Sequence, residues 1–256
     1  MRRVAFINEK GGSCKTTLCV NVAAWLATAR SLRILLADLD TQGHAGKSLG
    51  VDVRGLTPTI HEWLVGTAPL EAVVRPTPVP GLDLLPANKA LADLPVALAG
   101  APDRATRLAT RLAEVPAGRY DAVLIDAPPS RSLVTENVLT AADAVVVPVA
   151  LTYLALDGCA EMLESLADLR AARGAAPELA LVVPALYRKT QLADEILQKL
   201  RERFPAELSH TVLGWSVKVD EAQSHGRTVF EHAPRSPGAV ALAEIADEVL
   251  VRVLRR

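Results

Sequence analysis

The chain has 256 residues, 50% of them hydrophobic and 4% aromatic, with a formal net charge of −1. That length suits one large α/β domain, or two small ones, with ample apolar content for a core of Leu, Val, Ala and Ile. Near-neutral charge excludes a polycation that holds nucleic acid through its average field, so any such contact needs a local basic patch. Cys14, Cys19 and Cys159 form neither a disulfide framework nor CxxC zinc spacing, which points to a reducing cytosol.

Met1-Arg2-Arg3 could begin a signal peptide, but Asn8-Glu9-Lys10 breaks the apolar run at once, so export is not expected. Residues 4–7 read instead as a short buried parallel strand, followed by helical periodicity over 17–29. A second strand is expected at 34–37. The proline-punctuated segment 76–86 holds another at 82–85. The third main strand spans 122–125, and 144–149 and 179–183 extend the pattern, with a helix over 192–204. No stretch of about 18 uncharged apolar residues is present, so no spanning helix is expected. Strand and helix signals alternate, which predicts right-handed crossovers. The expected fold class is α/β: a doubly wound, mostly parallel sheet with helices on both faces, forming a single domain over 1–256.

The most informative stretch is Glu9-Lys10-Gly11-Gly12-Ser13-Cys14-Lys15-Thr16-Thr17, after a predicted strand and before a predicted helix. Backbone N–H groups of such a loop cradle phosphate oxygens, and the helix N-terminus adds partial positive charge. Lys15 is placed for the β- and γ-phosphates and the Thr16 hydroxyl for Mg²⁺. The match to G-x-x-x-x-G-K-[ST] is not literal: Glu9 stands at the first glycine position and Cys14 at the last. A plain glycine turn capping a helix is the competing reading of this loop alone. Two acidic motifs favour the phosphate loop. Asp38-Leu39-Asp40-Thr41-Gln42-Gly43 ends the second strand and Asp126-Ala127-Pro128-Pro129-Ser130 ends the third. Carboxylates at strand tips facing a phosphate loop are what Mg²⁺ and an attacking water require.

With these motifs in order, the sequence resembles the ParA family of chromosome- and plasmid-partitioning ATPases, in a class with MinD-like proteins and the nitrogenase iron protein. Residues 10–17 look like its deviant Walker A box, 38–43 like its second switch motif, and 126–130 like its Walker B region. Residues 77–88 are similar to its central strand region, and Glu221-Ala222-Gln223-Ser224-His225-Gly226 to its SEAPSHG stretch. The resemblance implies that ATP and Mg²⁺ bind through Lys10, Gly11, Gly12, Ser13, Cys14, Lys15, Thr16 and Thr17. Lys10 would reach across a homodimer to the partner's ATP, Asp40 would position the attacking water, and Asp126, with Asp38 a further candidate, would hold the Mg²⁺ hydration shell. ATP would favour the dimer because that state binds it better, and slow hydrolysis would act as a timer.

The resemblance also implies non-specific DNA binding by the ATP dimer through Lys189 and Lys218, with Arg188 and Arg227 nearby, and a ParB-like activator. The protein would then be cytoplasmic and nucleoid-associated. Such lysines give salt-dependent, sequence-tolerant affinity, although Asp194, Glu195 and Glu221 dilute the patch. No N-terminal extension houses a helix-turn-helix, so operator reading is not expected. A MinD-like membrane switch is the alternative. It would use the tail 243–256, where Ile245, Val249, Leu250, Val253 and Leu254 are apolar and Arg252, Arg255 and Arg256 basic. A last helix packed on the sheet is the reading we prefer, and no membrane partner is expected. A nucleotide-binding adaptor with impaired hydrolysis is a third reading, raised by Cys14 in a glycine position.

Thr41, and Gly214-Trp215 where the family has Pro-Arg, are further departures. Trp25 is expected in the core and His225 in a structural role. His44 is expected at an interface or on the surface. Asn137 is expected to order a switch, and residues 153–158 to support the site or a dimer contact.

Overall fold

The computed structural model describes residues 1–153 and 155–255. The chain opens with β1 (Arg2–Phe6), turns through the glycine-rich loop and enters α1 (Lys15–Ala29). Next come β2 (Ile34–Asp38), α2 (His44–Ser48), α3 (Ile60–Val65) and α4 (Leu70–Val73). A hairpin of β3 (Arg75–Pro76) and β4 (Leu82–Leu85) precedes α5 (Leu94–Ala97) and α6 (Arg107–Ala113). Strands and helices then alternate: β5 (Ala122–Asp126), α7 (Leu133–Ala141), β6 (Ala144–Ala150), α8 (Ala155–Arg173), β7 (Glu178–Tyr187) and α9 (Gln191–Arg203). The last stretch is β8 (Leu213–Gly214), α10 (Val217–Ser224), α11 (Val229–His232) and α12 (Pro237–Val249), which runs into a π-helical turn over Leu250–Leu254.

The eight strands form one sheet in the order β3-β4-β2-β5-β1-β6-β7-β8. Every neighbouring pair is parallel except the β3–β4 hairpin. β2 and β5 are buried at every residue, which is why they read as continuous apolar runs without alternation. Period two still divides their side chains between two cores. Leu35, Ala37, Val123 and Ile125 face α3 and α5–α9, where Leu64, Leu108, Val138, Met162 and Leu200 cover them. Val4, Phe6, Leu36 and Leu124 face the other layer, where α1, α10 and α12 contribute Leu18, Val22, Val219, Leu242 and Ile245.

The predicted doubly wound sheet is therefore present, with each strand within a few residues of its expected bounds. β3 and β8 have two residues each and show no periodicity to read. The tail packs as preferred: Ile245, Val249, Leu250 and Val253 are buried, and Arg252 bonds Glu248 and the carbonyl of Leu208, each at 3.0 Å. Trp25 is half-buried, not central: its indole N–H donates to Asp247 at 2.9 Å and its ring meets Phe230, sealing the α1–α12 seam. Asn137, expected to order a switch, sits between two helices. Buried, it accepts from the Leu108 N–H and donates to the carbonyls of Arg104 and Leu133, tying α6 to α7. The segment expected at 153–158 lies in part outside the described residues.

Candidate nucleotide-binding site

Strand order brings the three motif-bearing tips together. β2, β5 and β1 are consecutive, with Asp38 paired to Asp126 and Asp126 to Phe6. The chain leaves β1 for α1 on one face, while β5 leads to α7 on the other. The glycine-rich loop thus opens at the crevice where ligands of such sheets bind. Asn8 anchors its root, donating to the Pro148 carbonyl at 2.7 Å and accepting from the Lys10 N–H at 2.9 Å. The Ser13 hydroxyl donates to the Lys10 carbonyl at 3.1 Å. Gly12 and Cys14 take left-handed φ angles of 71° and 67°, which turn the chain into α1. A Cβ on Gly11 or Gly12 would meet nothing within 4 Å, so both positions border open space. The first-turn N–H groups of α1 give it a positive end there.

Lys15 is buried and donates its ammonium to the Lys10 carbonyl at 3.0 Å. Burial lowers its pKa, while Asp126 and Asp40 pull it back up. The Thr16 hydroxyl donates to Asp126 Oδ2 at 2.7 Å, and Asp126 Oδ1 is buried with no hydrogen-bond partner. Burial pushes Asp126 up to about 7, with the Thr16 bond opposing and Asp40 reinforcing. An orphaned carboxylate oxygen beside a threonine hydroxyl fits a hard cation. No cluster of three His, Cys, Asp or Glu capable of holding a metal occurs among the described residues.

Asp38 ends β2 beside Asp126. Fully buried, it accepts from the Asp40 N–H at 3.0 Å through Oδ1 and from the Ala45 and Gly46 N–H groups at 3.1 and 3.4 Å through Oδ2. These bonds shape the loop after β2. Burial and neighbouring Asp126 push its pKa up, against those N–H bonds. Asp40, partly exposed on the cleft wall, accepts from the Gln42 N–H at 2.9 Å. Lys10 leans away onto α8, its ammonium 3.8 Å from Glu161.

Together these groups line a cleft of about 620 Å³, with Gly11–Thr17 on one wall, Asp40, Gln42, His44 and Lys47 on another, and Gln223 and Ser224 closing it. Sequence reasoning assigned no role to Gln223, whose amide donates to the Thr17 hydroxyl at 3.0 Å. The signal was the 221–226 stretch, noted there only as a resemblance. An adjoining cavity of about 560 Å³ shares Gly12, Cys14 and Thr17 and runs out to Arg188 and Trp215. The Arg188 guanidinium sits 4.4 Å from the Trp215 ring centroid. Lys189 is exposed, and Lys218 is paired with Glu221 at 2.7 Å. Burial pushes the Cys14 thiol up to about 11, with Asp220 adding and Lys15 opposing, the opposite of an activated nucleophile.

A phosphate loop at the centre of a parallel sheet, with Thr-Asp and Lys groups at the strand tips, defines a P-loop nucleotide-binding α/β protein. A family model described as "AAA domain" matches residues 1–179. The chain is 44% identical to the chromosome-partitioning ATPase Soj of Thermus thermophilus, over 99% of this chain and 97% of that one. It is 34% identical to the chromosome partitioning protein ParA of Caulobacter vibrioides, over 98% and 95%. Among solved structures, a Mycobacterium smegmatis protein titled cobyrinic acid a,c-diamide synthase, with bound ATP analogue and magnesium, superposes with a TM-score of 0.85. It is 32% identical, over 98% of this chain and 94% of that one. The chain belongs to the ParA/Soj family of partitioning ATPases.

Proposed function

We propose that this chain is a Mg²⁺-dependent ATPase that partitions a chromosome or plasmid, forming in its ATP state a homodimer that binds DNA without sequence preference. One observation carries the reading: a buried Lys15 and a Thr16–Asp126 pair converge on an open glycine loop, in a chain 44% identical to a partitioning ATPase. Lys15 and the loop N–H groups neutralise the phosphates. Thr16 would ligate Mg²⁺ and Asp126 would hold its water shell, with Asp38 fixing the loop that carries Asp40. When bound, Mg²⁺ neutralises charge across the β- and γ-phosphate oxygens. Asp40 stands on the cleft wall to orient the attacking water. Lys10 reaches the partner's nucleotide once it leaves Glu161.

Lys189 and Lys218 are the DNA contacts of this reading, and release from Glu221 frees the second. A ParB-like protein is the activator, the location is cytoplasmic at the nucleoid, and residues 1–256 act as one ATPase domain. Burial of Ile245, Val249, Leu250 and Val253 favours partitioning over a membrane switch, because those side chains would have to face the lipid. Among the described residues no helix is long and apolar enough to cross a membrane.

The test is equilibrium binding of ATP with Mg²⁺ to wild type and Lys15→Ala, followed by hydrolysis and DNA co-sedimentation with ATP and with ADP. Loss of at least about 10²-fold in affinity is expected, since a charged phosphate contact and its desolvated cradle are removed together. Unchanged affinity would remove the phosphate-loop assignment. ATP binding without turnover would leave the adaptor reading standing.

A further inference from the structure

The residue before Lys10 is an acid, and its side chain is only 9% exposed. Carboxylates are rarely that buried without partners, and both oxygens of Glu9 have one. Oε2 accepts from Arg131 Nε at 2.7 Å, and Oε1 accepts from the Ser165 hydroxyl at 2.6 Å. Arg131 lies between β5 and α7, and Ser165 is on α8. Arg131 also donates to the Glu161 carbonyl at 3.0 Å, one turn before Ser165. The Glu161 carboxylate in turn stands 3.8 Å from the Lys10 ammonium. Three segments thus close around the root of the phosphate loop, and Lys10 is held inside that network.

We infer that this network is a latch, in which Glu9 is a positioning residue that keeps Lys10 docked on Glu161 of α8 until ATP-driven dimerisation releases it. The inference rests on the reading that Lys10 acts across a dimer. The loop moves as a unit, because the Lys10 carbonyl accepts from both Ser13 and Lys15 and the Lys10 N–H is held by Asn8. A phosphate that draws Lys15 away from that carbonyl loosens the unit from within. The partner's phosphate must then compete with Glu161 for Lys10. The partly exposed Lys10–Glu161 pair is weak alone, and the bonds of the shielded Glu9 carboxylate to half-exposed Arg131 and to Ser165 supply the rest. ADP bound within one subunit makes no demand on Lys10, so the latch opposes only the dimer-forming step.

The test compares wild type with Glu9→Gln, Glu161→Gln and the double variant, measuring the ATP concentration for half-maximal dimer by sedimentation velocity and ADP affinity by calorimetry. Each single variant is expected to lower the ATP midpoint at least about threefold, the scale of losing one charge pair. The double variant should go no further, because both act through Lys10. ADP affinity should hold within about twofold. An unchanged midpoint, additive effects, or an equal shift in ADP affinity overturns the latch. If the wild type forms no ATP dimer, the functional reading fails instead. Hydrogen exchange of the ligand-free proteins then decides the latch: amides of residues 9–13 and 161–165 should lose protection together in Glu9→Gln, and no change overturns it.

Discussion

Cys14 holds a left-handed φ of 67° where its family carries glycine, a conformation that costs an L side chain roughly 1–2 kcal/mol. Glycine there would instead lose roughly 0.5–1 kcal/mol in unfolded-chain entropy, so cysteine costs this loop up to about 1.5 kcal/mol more than glycine would. What changes is chemistry. With its thiol pushed from 9.0 up to about 11, the thiolate fraction at pH 8 falls roughly a hundredfold. Cys19 and Cys159 are buried while Cys14 is half-exposed, so native alkylation should map to Cys14. It should run at least about tenfold slower than on a free cysteine peptide, and slower again with Mg-ATP present. Peptide mapping after iodoacetamide treatment checks this; rapid labelling at Cys14 would contradict a thiol pKa of about 11.

At the scale of elements, the cleft depends on loops locked by backbone contacts. Gly226, after α10, has φ 63°, and a Cβ there would meet Gly50 Cα at 2.7 Å. Neither atom belongs to a flexible side chain, so the contact cannot relax cheaply. This approach seats α10, with Gln223, against α2 and the loop that Asp38 organises. Gly226→Ala should therefore destabilise the fold by about 2 kcal/mol or more, combining the positive-φ penalty with the clash. Thermal or urea unfolding measures it, and Mg-ATP affinity should fall as well because Gln223 shifts from Thr17. A variant as stable as wild type would mean that the two glycines do not pack as described. The 221–226 resemblance marked this segment in the sequence. Its meeting with Gly50 crosses too much chain for local pattern to reveal.

Across the whole molecule the two ends of the sheet differ in kind. The C-terminal ends carry the cleft, where backbone N–H groups bond Asp38 and one hydroxyl bonds Asp126. The N-terminal ends are laced by arginine–acid pairs between strands: Arg33 with Asp121 at 2.7 Å, Arg2 with Glu178 at 3.3 Å, and Arg3 with Asp143. Arg33 holds Asp121 down at about 2. Asp143 is also lowered, because the Arg3 bonds outweigh a burial that pushes it up. A carboxylate depressed in the folded state stabilises it above the unfolded pKa, and that contribution disappears as pH falls through the folded one. The stabilisation from Asp121 should thus be complete above about pH 4 and disappear toward pH 2. Arg33→Ala should move the acid-unfolding midpoint upward while leaving Mg-ATP affinity unchanged. Circular dichroism across pH 2–7 follows the first and calorimetry the second; an unmoved midpoint would deny the pair any role in acid stability.

The sequence by itself determined the strands of the central sheet and the identity of the phosphate loop, because burial on both faces and the glycine-lysine-threonine chemistry leave local signatures at 4–7, 10–17, 34–43 and 122–130. Only the tertiary structure decided what surrounds each carboxylate. Asp38 and Asp126 read alike as strand-tip acids. The register that sets them side by side gives Asp38 three backbone donors and leaves Asp126 one hydroxyl and a bare oxygen. The docking of Glu9 and Lys10 on α8, and of Gln223 on Thr17, was likewise beyond local reading. Such contacts join residues more than a hundred positions apart, and their partners are set by the order in which the strands assemble.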